Sequence, residues 1–291
     1  MKEKTIRLTF ILAEGEFDDG NNTKTIEGLA TEVQVNKVGL PEKNTAQIKV
    51  SNMSLKDMEK LTFLAFRPLQ KRKNKILVEA GEKGETLHQV FKGDITSAFP
   101  DFNSAPDVPF CVEAMTAGWS FQKADTPTSV NGETDAGELI SQFAQEAGFS
   151  FVNNGVQATV TNGYYQGSAI QKAKQVADEI HKELVCDDDT WTLQNWNKSQ
   201  GEAVLINPEC GLLGYPSFTN DGVKCVSLYN PKLKFGGQIK IESIVPKASG
   251  YWKITRLEHQ ISAYTTNQSW MSDIEGIWLK EAEGKEDPNL E

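Results

Sequence analysis

The chain has 291 residues, with 40 acidic against 30 basic side chains and a formal net charge of -10. One compact core rarely grows beyond about 250 to 300 residues, so this length predicts two or three domains. The acidic balance excludes tight sequence-independent DNA binding and docking on anionic lipid, because both need clustered Lys and Arg and the chain offers only the short basic stretch 67–75. The composition therefore predicts a folded, soluble chain without membrane insertion.

The first third of the chain has the alternation of half-buried β-strands. Strands are predicted at 5–12, 26–38, 47–52, 76–80 and 88–98. A short helix begins after Ser54, which forms a capping-box pattern with Asp57, and Pro68 is expected to end it. Several short strands at this spacing predict a small antiparallel barrel or sandwich.

The middle of the chain changes to helical periodicity. Asp135 precedes a helix that Gly148 is expected to end, and Ser168 with Gln171 forms a second capping box before a helix that runs to Leu184. Short strands at 149–152 and 156–161 and a hairpin within 184–196 complete a compact α/β module.

After Trp196 the chain returns to strands, predicted at 203–207, 222–229, 238–245, 251–264 and 274–279. The stretch 211–216 contains Gly and Pro and is interpreted as a separator between strands. The fold class is thus α+β and mainly β, with two small antiparallel barrels around an α/β domain. The predicted domains are 1–115, 116–197 and 198–280, followed by an acidic flexible tail at 281–291.

Chain ends and cysteines indicate where the protein is made. Arg7 interrupts the only segment that could be the apolar part of a signal peptide, so no export signal is expected. The four cysteines lie far apart without CxxC pairs, which favours small buried side chains in a reducing compartment over a disulfide or metal site. These are Cys111, Cys186, Cys210 and Cys225.

Residue types that carry chemistry have simple structural interpretations. His88, His181 and His259 have no second His or Cys at ligand spacing, and structural or exposed positions are expected. The run Asp187–Asp189 could supply oxygen ligands to calcium, but it has no alternating Asp/Asn ligands, central Gly or terminal Glu, so a solvated turn is favoured.

Catalytic patterns are equally weak. Glu138 and Glu146 lie on the polar face of a predicted helix, and no nucleophile elbow, phosphate-binding glycine loop or HExxH motif is present. Sugar stacking is a second interpretation of the tryptophans, but positions in strands favour core packing for Trp191, Trp196, Trp252, Trp270 and Trp278. We predict no enzyme activity, no cofactor, and no catalytic, cofactor-binding or metal-binding residues.

Ordered strings in the second half of the chain resemble the baseplate hub proteins of contractile-tailed bacteriophages, the late control protein D group. The strings are 214–216 (GYP), 221–223 (DGV), 227–231 (SLYNP), 235–238 (FGGQ), 241–243 (IES), 248–252 (ASGYW) and 257–259 (LEH). A second match runs from Gly118-Trp119 through the helix at 139–148, 153–156 (NNGV) and 165–168 (YQGS) to Thr192-Leu193.

The resemblance implies an assembly role in the virion baseplate, with assembly in the host cytoplasm. Hub proteins of this group are similar to tail-tube proteins, with two tube-like barrels per chain, so that a homotrimer presents a pseudo-six-fold ring to the tail tube and three-fold symmetry to the spike. Implied partners are the spike and the tube or tube-initiator proteins, with baseplate wedge and tape measure proteins as further candidates. DNA would pass through the channel without specific binding, past a wall that the net charge predicts to be acidic.

Two alternatives belong to other functional classes. A virion-associated peptidoglycan hydrolase would need a cleft with two carboxylates of unequal pKa. A receptor-binding or carbohydrate-binding module at the tail tip would need exposed tryptophans.

Overall fold

A computed structural model describes residues 2–62, 74–118, 125–196, 198–266 and 268–279. We call 2–118 the N-terminal block, 125–196 the insert and 198–279 the C-terminal block. The basic stretch beyond residue 66, Pro68, Trp119 and the predicted tail lie outside the described residues, apart from Asn74 and Lys75.

In its described residues, the N-terminal block contains seven strands, one α-helix and a short 3₁₀ turn at Phe102–Ser104. Ser54 caps the helix as predicted, accepting a hydrogen bond from the Asp57 N–H at 3.1 Å, and the helix ends at Leu61. The predicted strand 26–38 is two strands, because Gly28 takes a positive φ of 80° at a turn. The elements are β1 Lys4–Ile11, β2 Thr23–Glu27, β3 Thr31–Val38, β4 Thr45–Val50, α1 Leu55–Leu61, β5 Lys75–Glu82, β6 His88–Pro100 and β7 Phe110–Met115.

The insert packs two helices against small sheets. Asp135 caps the first helix and Gly148 ends it in the left-handed conformation, both as predicted. The second helix ends before Ile180, so the prediction that it reaches Leu184 was wrong. His181 has a positive φ of 55°, and Leu184 lies in the next strand, which begins at Glu183. The elements are β8 Asp125–Ser129, β9 Glu133–Asp135, α2 Ala136–Ala147, β10 Ser150–Asn153, β11 Thr159–Thr161, β12 Tyr164–Gly167, α3 Ala169–Glu179, β13 Glu183–Asp187 and β14 Thr190–Gln194.

The C-terminal block contains only strands and one short 3₁₀ turn. The stretch interpreted as a separator is a strand, β16, that pairs with β17 alone among the described residues. Pro216 is tolerated there because an edge strand does not need every N–H in the ladder. The elements are β15 Gln200–Ile206, β16 Leu212–Phe218, β17 Gly222–Leu228, β18 Gly237–Ile241, β19 Gly250–Ala263 and β20 Trp270–Trp278.

The two blocks share one sheet. Its order is β16-β17-β20-β19-β3-β4-β7-β6-β5-β1-β2, with β18 and β15 branching from β19. The blocks meet where β19 pairs antiparallel with β3, from Arg256 opposite Val38 to Ala263 opposite Thr31. The mainly β α+β class with antiparallel sheets is confirmed, whereas domain boundaries near 115 and 197 remain a prediction.

Three hydrophobic cores lie under this framework. One belongs to the N-terminal block, one to the insert, and one to the C-terminal block. Tyr229, Ile261 and Ala263 of the C-terminal block pack into the N-terminal core, so the blocks are joined by side chains as well as by the ladder. In the described ranges, no helix combines the length and apolar character needed to cross a membrane.

Candidate functional site

The exposed face of the shared sheet is a candidate surface, and the alternation of buried and exposed residues along its strands defines it. Along β3, Val33 and Val35 are buried while Glu32 and Gln34 point to the other side; β4 alternates in the same way. Because facing residues in an antiparallel ladder share a side, the register extends this polar face through β19 and β20.

Side chains on the polar face are linked across the boundary between the blocks. Gln34 lies between Gln47 and Gln260 in the register. Gln34 Nε2 donates to Glu258 Oε1 at 2.7 Å, and Gln260 Nε2 donates to the same oxygen at 2.8 Å. The face is therefore one continuous polar surface spanning both blocks.

The polar face carries more acids than bases. Its carboxylates are Glu32, Glu113, Glu258, Asp273 and Glu275, and its cations are Lys49, Lys224 and Arg256. Lys224 lies 3.7 Å from carboxylate oxygens of both Asp273 and Glu275, so part of the charge is compensated. A phosphate chain passing this face would meet no net attraction.

Behind the face, a buried lysine ties the insert to β3. Lys37 Nζ lies 2.8 Å from Asp187 Oδ1 and 3.1 Å from Asp188 Oδ2. Asn44 Nδ2 donates to the same Asp187 oxygen at 3.0 Å. Burial acts to lower the pKa of Lys37, but the two carboxylates outweigh it and raise the pKa above its ordinary value, so the ammonium stays charged.

The predicted solvated turn at Asp187–Asp189 is a turn, and Asp189 is exposed, but Asp187 and Asp188 are partly buried. Asp188 Oδ1 accepts a hydrogen bond from the Lys92 N–H at 3.1 Å, and Asp189 Oδ2 lies 2.7 Å from Lys92 Nζ. The turn docks on the N-terminal block because its carboxylates meet cations there. Across the described residues, no group of three or more His, Cys, Asp or Glu is placed to hold a metal ion.

A second buried lysine ties the insert to the C-terminal block. Lys253 forms an ion pair with Glu183 and donates to the Trp196 carbonyl at 3.0 Å. Gln194 Nε2 donates to Glu183 at 2.8 Å and completes the contact. Lys37 lies on the apolar side of the alternation of β3, with Val33 and Val35, and this is the signal in the sequence that could have identified it as an ion-paired core residue. Lys253 lies between the core residues Trp252 and Ile254 and points to the other side of β19, so the alternation gives no such signal for it.

The three histidines are not brought together. His259 is buried, with Nδ1 at 2.8 Å from Ser272 Oγ and its ring edge-on to Tyr229 at 5.1 Å. Burial, and to a lesser degree Lys37, lowers the pKa of His259 to about 3. His88 and His181 are exposed.

The tryptophan and cysteine predictions are confirmed only in part. Trp191 and Trp252 are buried, but Trp196 is 59% exposed. Cys186 and Cys225 are buried, Cys111 is partly buried, Cys210 is exposed, and all four are free thiols.

On α2, Glu146 lies 3.9 Å from Lys172.

Between the blocks and the insert lies a polar cavity of about 450 Å³. Lys37, Asp187, Tyr229 and His259 contribute to its wall. Of the charged groups that line it, Lys37 pairs with Asp187 and Asp188, and Asp189 pairs with Lys92.

Comparison with known proteins places this geometry in a family. A family model described as baseplate hub gp41 matches residues 5–272. No curated protein matches the chain.

Solved structures share the fold at low identity. A tail protein from Neisseria meningitidis MC58 is 7% identical with a TM-score of 0.62, covering 94% of this chain and 96% of that one. The 43 kDa tail protein of prophage MuSo2 from Shewanella oneidensis is 8% identical with a TM-score of 0.62, covering 95% and 97%. The E. coli c3393 protein, a component of the type VI secretion system, is 9% identical with a TM-score of 0.59, covering 94% and 77%.

Proposed function

Because the chain belongs to the baseplate hub gp41 family, we propose that it is a structural hub that forms a homotrimeric ring between the tail tube and the spike of a phage tail. The ring surrounds part of the channel through which DNA is ejected. The hub assembles in the host cytoplasm and becomes part of the virion. It acts without catalysis and without a cofactor.

The observation that carries this proposal is the polar face that runs unbroken across both blocks. A channel for DNA needs a wall that is wetted, rigid and without a surplus of positive charge. The polar face has these properties: Glu258 accepts hydrogen bonds from both Gln34 and Gln260, and acids outnumber bases. We assign this face to the channel wall.

Closed symmetry supports the three-fold part of the proposal. Two strand-rich blocks in one chain allow three chains to offer six similar surfaces, which suits a six-fold tube on one side and a three-fold spike on the other. Tube and spike proteins are the direct partners in this scheme, and wedge and tape measure proteins are secondary ones. The domain boundaries predicted at 115 and 197 belong to the same proposal.

Neither alternative is favoured by a specific observation. A peptidoglycan hydrolase needs paired carboxylates of unequal pKa across a cleft. The carboxylates on the polar face lie on an open sheet surface among cations and amides. A carbohydrate-binding module needs several exposed aromatic rings in one place, and Trp196 is the single highly exposed tryptophan among the five in the described residues.

The proposal is tested by solution mass and by images of the assembled particle. Light scattering should give three times the chain mass, and negative-stain class averages should show a three-fold ring with a central hole. If the chain alone is a monomer, the measurement is repeated with the spike and tube proteins of the same tail. A monomer under every one of these conditions contradicts the proposal, as would a channel wall with net positive charge in a cryo-EM structure.

A further inference from the structure

The insert is folded as a unit of its own. Its strands form three small sheets, β10-β14-β13, β9-β11 and β8-β12, and within the described residues none of these strands pairs with a strand of either block. Its two helices pack on a hydrophobic core that is separate from the cores of the blocks. The position of the insert on the shared sheet therefore depends on side-chain contacts and not on a ladder of backbone hydrogen bonds.

The polar side-chain contacts converge on residues 183–189 of the insert, which we call the docking segment. It brings carboxylates from one short stretch of chain against lysines that stand on three different strands of the shared sheet. The carboxylates are Glu183, Asp187, Asp188 and Asp189, and the lysines are Lys37 on β3, Lys92 on β6 and Lys253 on β19. Since β3 and β6 belong to the N-terminal block and β19 to the C-terminal block, the docking segment holds the insert to both blocks.

The remainder of this interface is loosely packed. The cavity of about 450 Å³ borders the docking segment, and a second cavity of about 190 Å³ lies between it, Lys92 and Phe149. Gln200 Nε2, at the wall of the larger cavity, is buried without a hydrogen-bond partner. Apolar contact is made by Leu40, which packs against the insert core, and by Val185, which lies beside Gly236. A polar interface with cavities is typical of domains that move relative to each other, because only large apolar interfaces hold domains rigidly.

Opening this interface should require less free energy than unfolding the insert or the sheet. The lysines and carboxylates regain their hydration when they separate, and this offsets much of the attraction that is lost. The insert core and the ladder of the shared sheet both stay intact, because neither is shared across the interface as a continuous ladder. Local openings of this kind have free energies below that of global unfolding.

We infer that the insert docks reversibly on the shared sheet as a rigid unit, and that the docking segment separates from its three lysines while both parts stay folded. The polar face of the sheet is unchanged in the open state, since the insert lies behind it. The inference concerns motion within one chain and does not depend on the proposed ring.

Val185 is the position that can report the opening. It is 1% exposed and belongs to none of the three cores, and its Cγ2 lies 3.5 Å from where a Cβ on Gly236 would stand. Its neighbours Leu184 and Cys186 belong to the insert core. A thiol at position 185 would thus become accessible when the insert undocks, Cys186 when the insert unfolds, and Cys225 when the core of the C-terminal block unfolds.

The test is thiol labelling of the native protein with iodoacetamide, an uncharged reagent. The chain carries Val185→Cys together with Cys111→Ser and Cys210→Ser, which remove the partly buried and the exposed thiol. Tandem mass spectrometry assigns each label to its residue over time. The thiol at position 185 should react about tenfold faster, or more, than Cys186 and Cys225.

A charge reversal at the interface distinguishes undocking from entry of the reagent through the cavities. Asp189→Lys replaces attraction to Lys92 by repulsion and should speed labelling at position 185 about fivefold. The matched control is Asp178→Lys, which makes the same change of charge at an exposed position of α3, where Asp178 pairs with Lys174 inside the insert. The control should leave the labelling rate at position 185 unchanged.

Three outcomes would overturn the inference. Equal rates at position 185 and Cys186 would mean that the insert unfolds where it was expected to undock. Equal rates at all three thiols would mean that only global unfolding exposes the interface. Fast labelling at position 185 that both variants change equally, or not at all, would mean that the reagent enters without opening. Each of these results leaves the proposed hub function standing, because the mass and the ring are measured separately.

Discussion

The shared sheet contains two four-strand units with the same order, β3-β4-β7-β6 and β16-β17-β20-β19. Each has a bulge directly after an isoleucine, Ile95 or Ile254, but the side chains at equivalent positions differ. Glu258, four residues after Ile254, accepts a hydrogen bond from Gln34 across the internal junction, the pairing of β3 with β19. Its counterpart Phe99, four residues after Ile95, is an apolar ring that is 37% exposed. His259 is buried beneath the internal junction, and its counterpart is Pro100. The difference shows that backbone geometry is set by the ladder and its bulge, while edge chemistry depends on what covers the edge.

Removing the charge of Lys37 should have the largest effect on stability, because Lys37 is the buried cation that pairs with Asp187 and Asp188. Lys37→Met leaves Asp187 and Asp188 partly buried without their cation, and we expect a loss of about 3 kcal/mol in the free energy of unfolding. Lys49→Met on the exposed face of the adjacent strand is the control and should change it by less than about 0.5 kcal/mol. Urea unfolding followed by tryptophan fluorescence measures both, and equal losses would mean that the buried ion pair does not hold the insert.

Acid should weaken the internal junction through His259. The pKa of His259 is lowered to about 3 in the folded chain from an ordinary value of 6.5. Between pH 6.5 and pH 3, the unfolded chain therefore binds a proton at His259 that the folded chain does not bind. The contribution of His259 is present above pH 6.5 and is lost as the pH falls towards 3. Between pH 6.5 and pH 5 this loss is roughly 1.5 kcal/mol.

The measurement compares the pH dependence of unfolding in the wild type and in His259→Asn. The variant should lose stability less steeply below pH 6.5, whatever its stability at pH 8. His88→Asn is the control, since His88 is exposed and should leave the slope unchanged. Parallel slopes in all three proteins would show that His259 titrates normally.

The smallest expected effect tests the repeat itself. Thr96→Val and Thr255→Val each remove one hydroxyl that donates to a glutamate carbonyl within a bulge, and each should cost about 1 kcal/mol. Thermal unfolding of the two variants under the same conditions measures the difference. Losses that differ by more than about 1 kcal/mol would indicate that the two bulges are not energetically equivalent.

Local patterns in the sequence predicted most of the secondary structure. Asp135, Gly148 and Ser168 mark helix ends because capping depends on neighbouring backbone groups. The second helix was extended too far, to Leu184, since its apolar spacing continues while the backbone turns at His181. The strand β16 was missed because Gly214 and Pro216 are typical of loops, and only its position at a sheet edge permits them.

The sequence by itself determined the mainly β class, the helical insert, the acidic balance and the resemblance to baseplate hubs. These depend on composition, on short periodicities and on caps, which involve residues close together in the chain. Only the tertiary structure decided that β3 joins β19 across more than 200 residues, that Lys37 meets Asp187, and which of the described strands lie at the ends of the sheet. Strand partners far apart in sequence are chosen by the packing of whole faces and by register, and no local pattern contains that information.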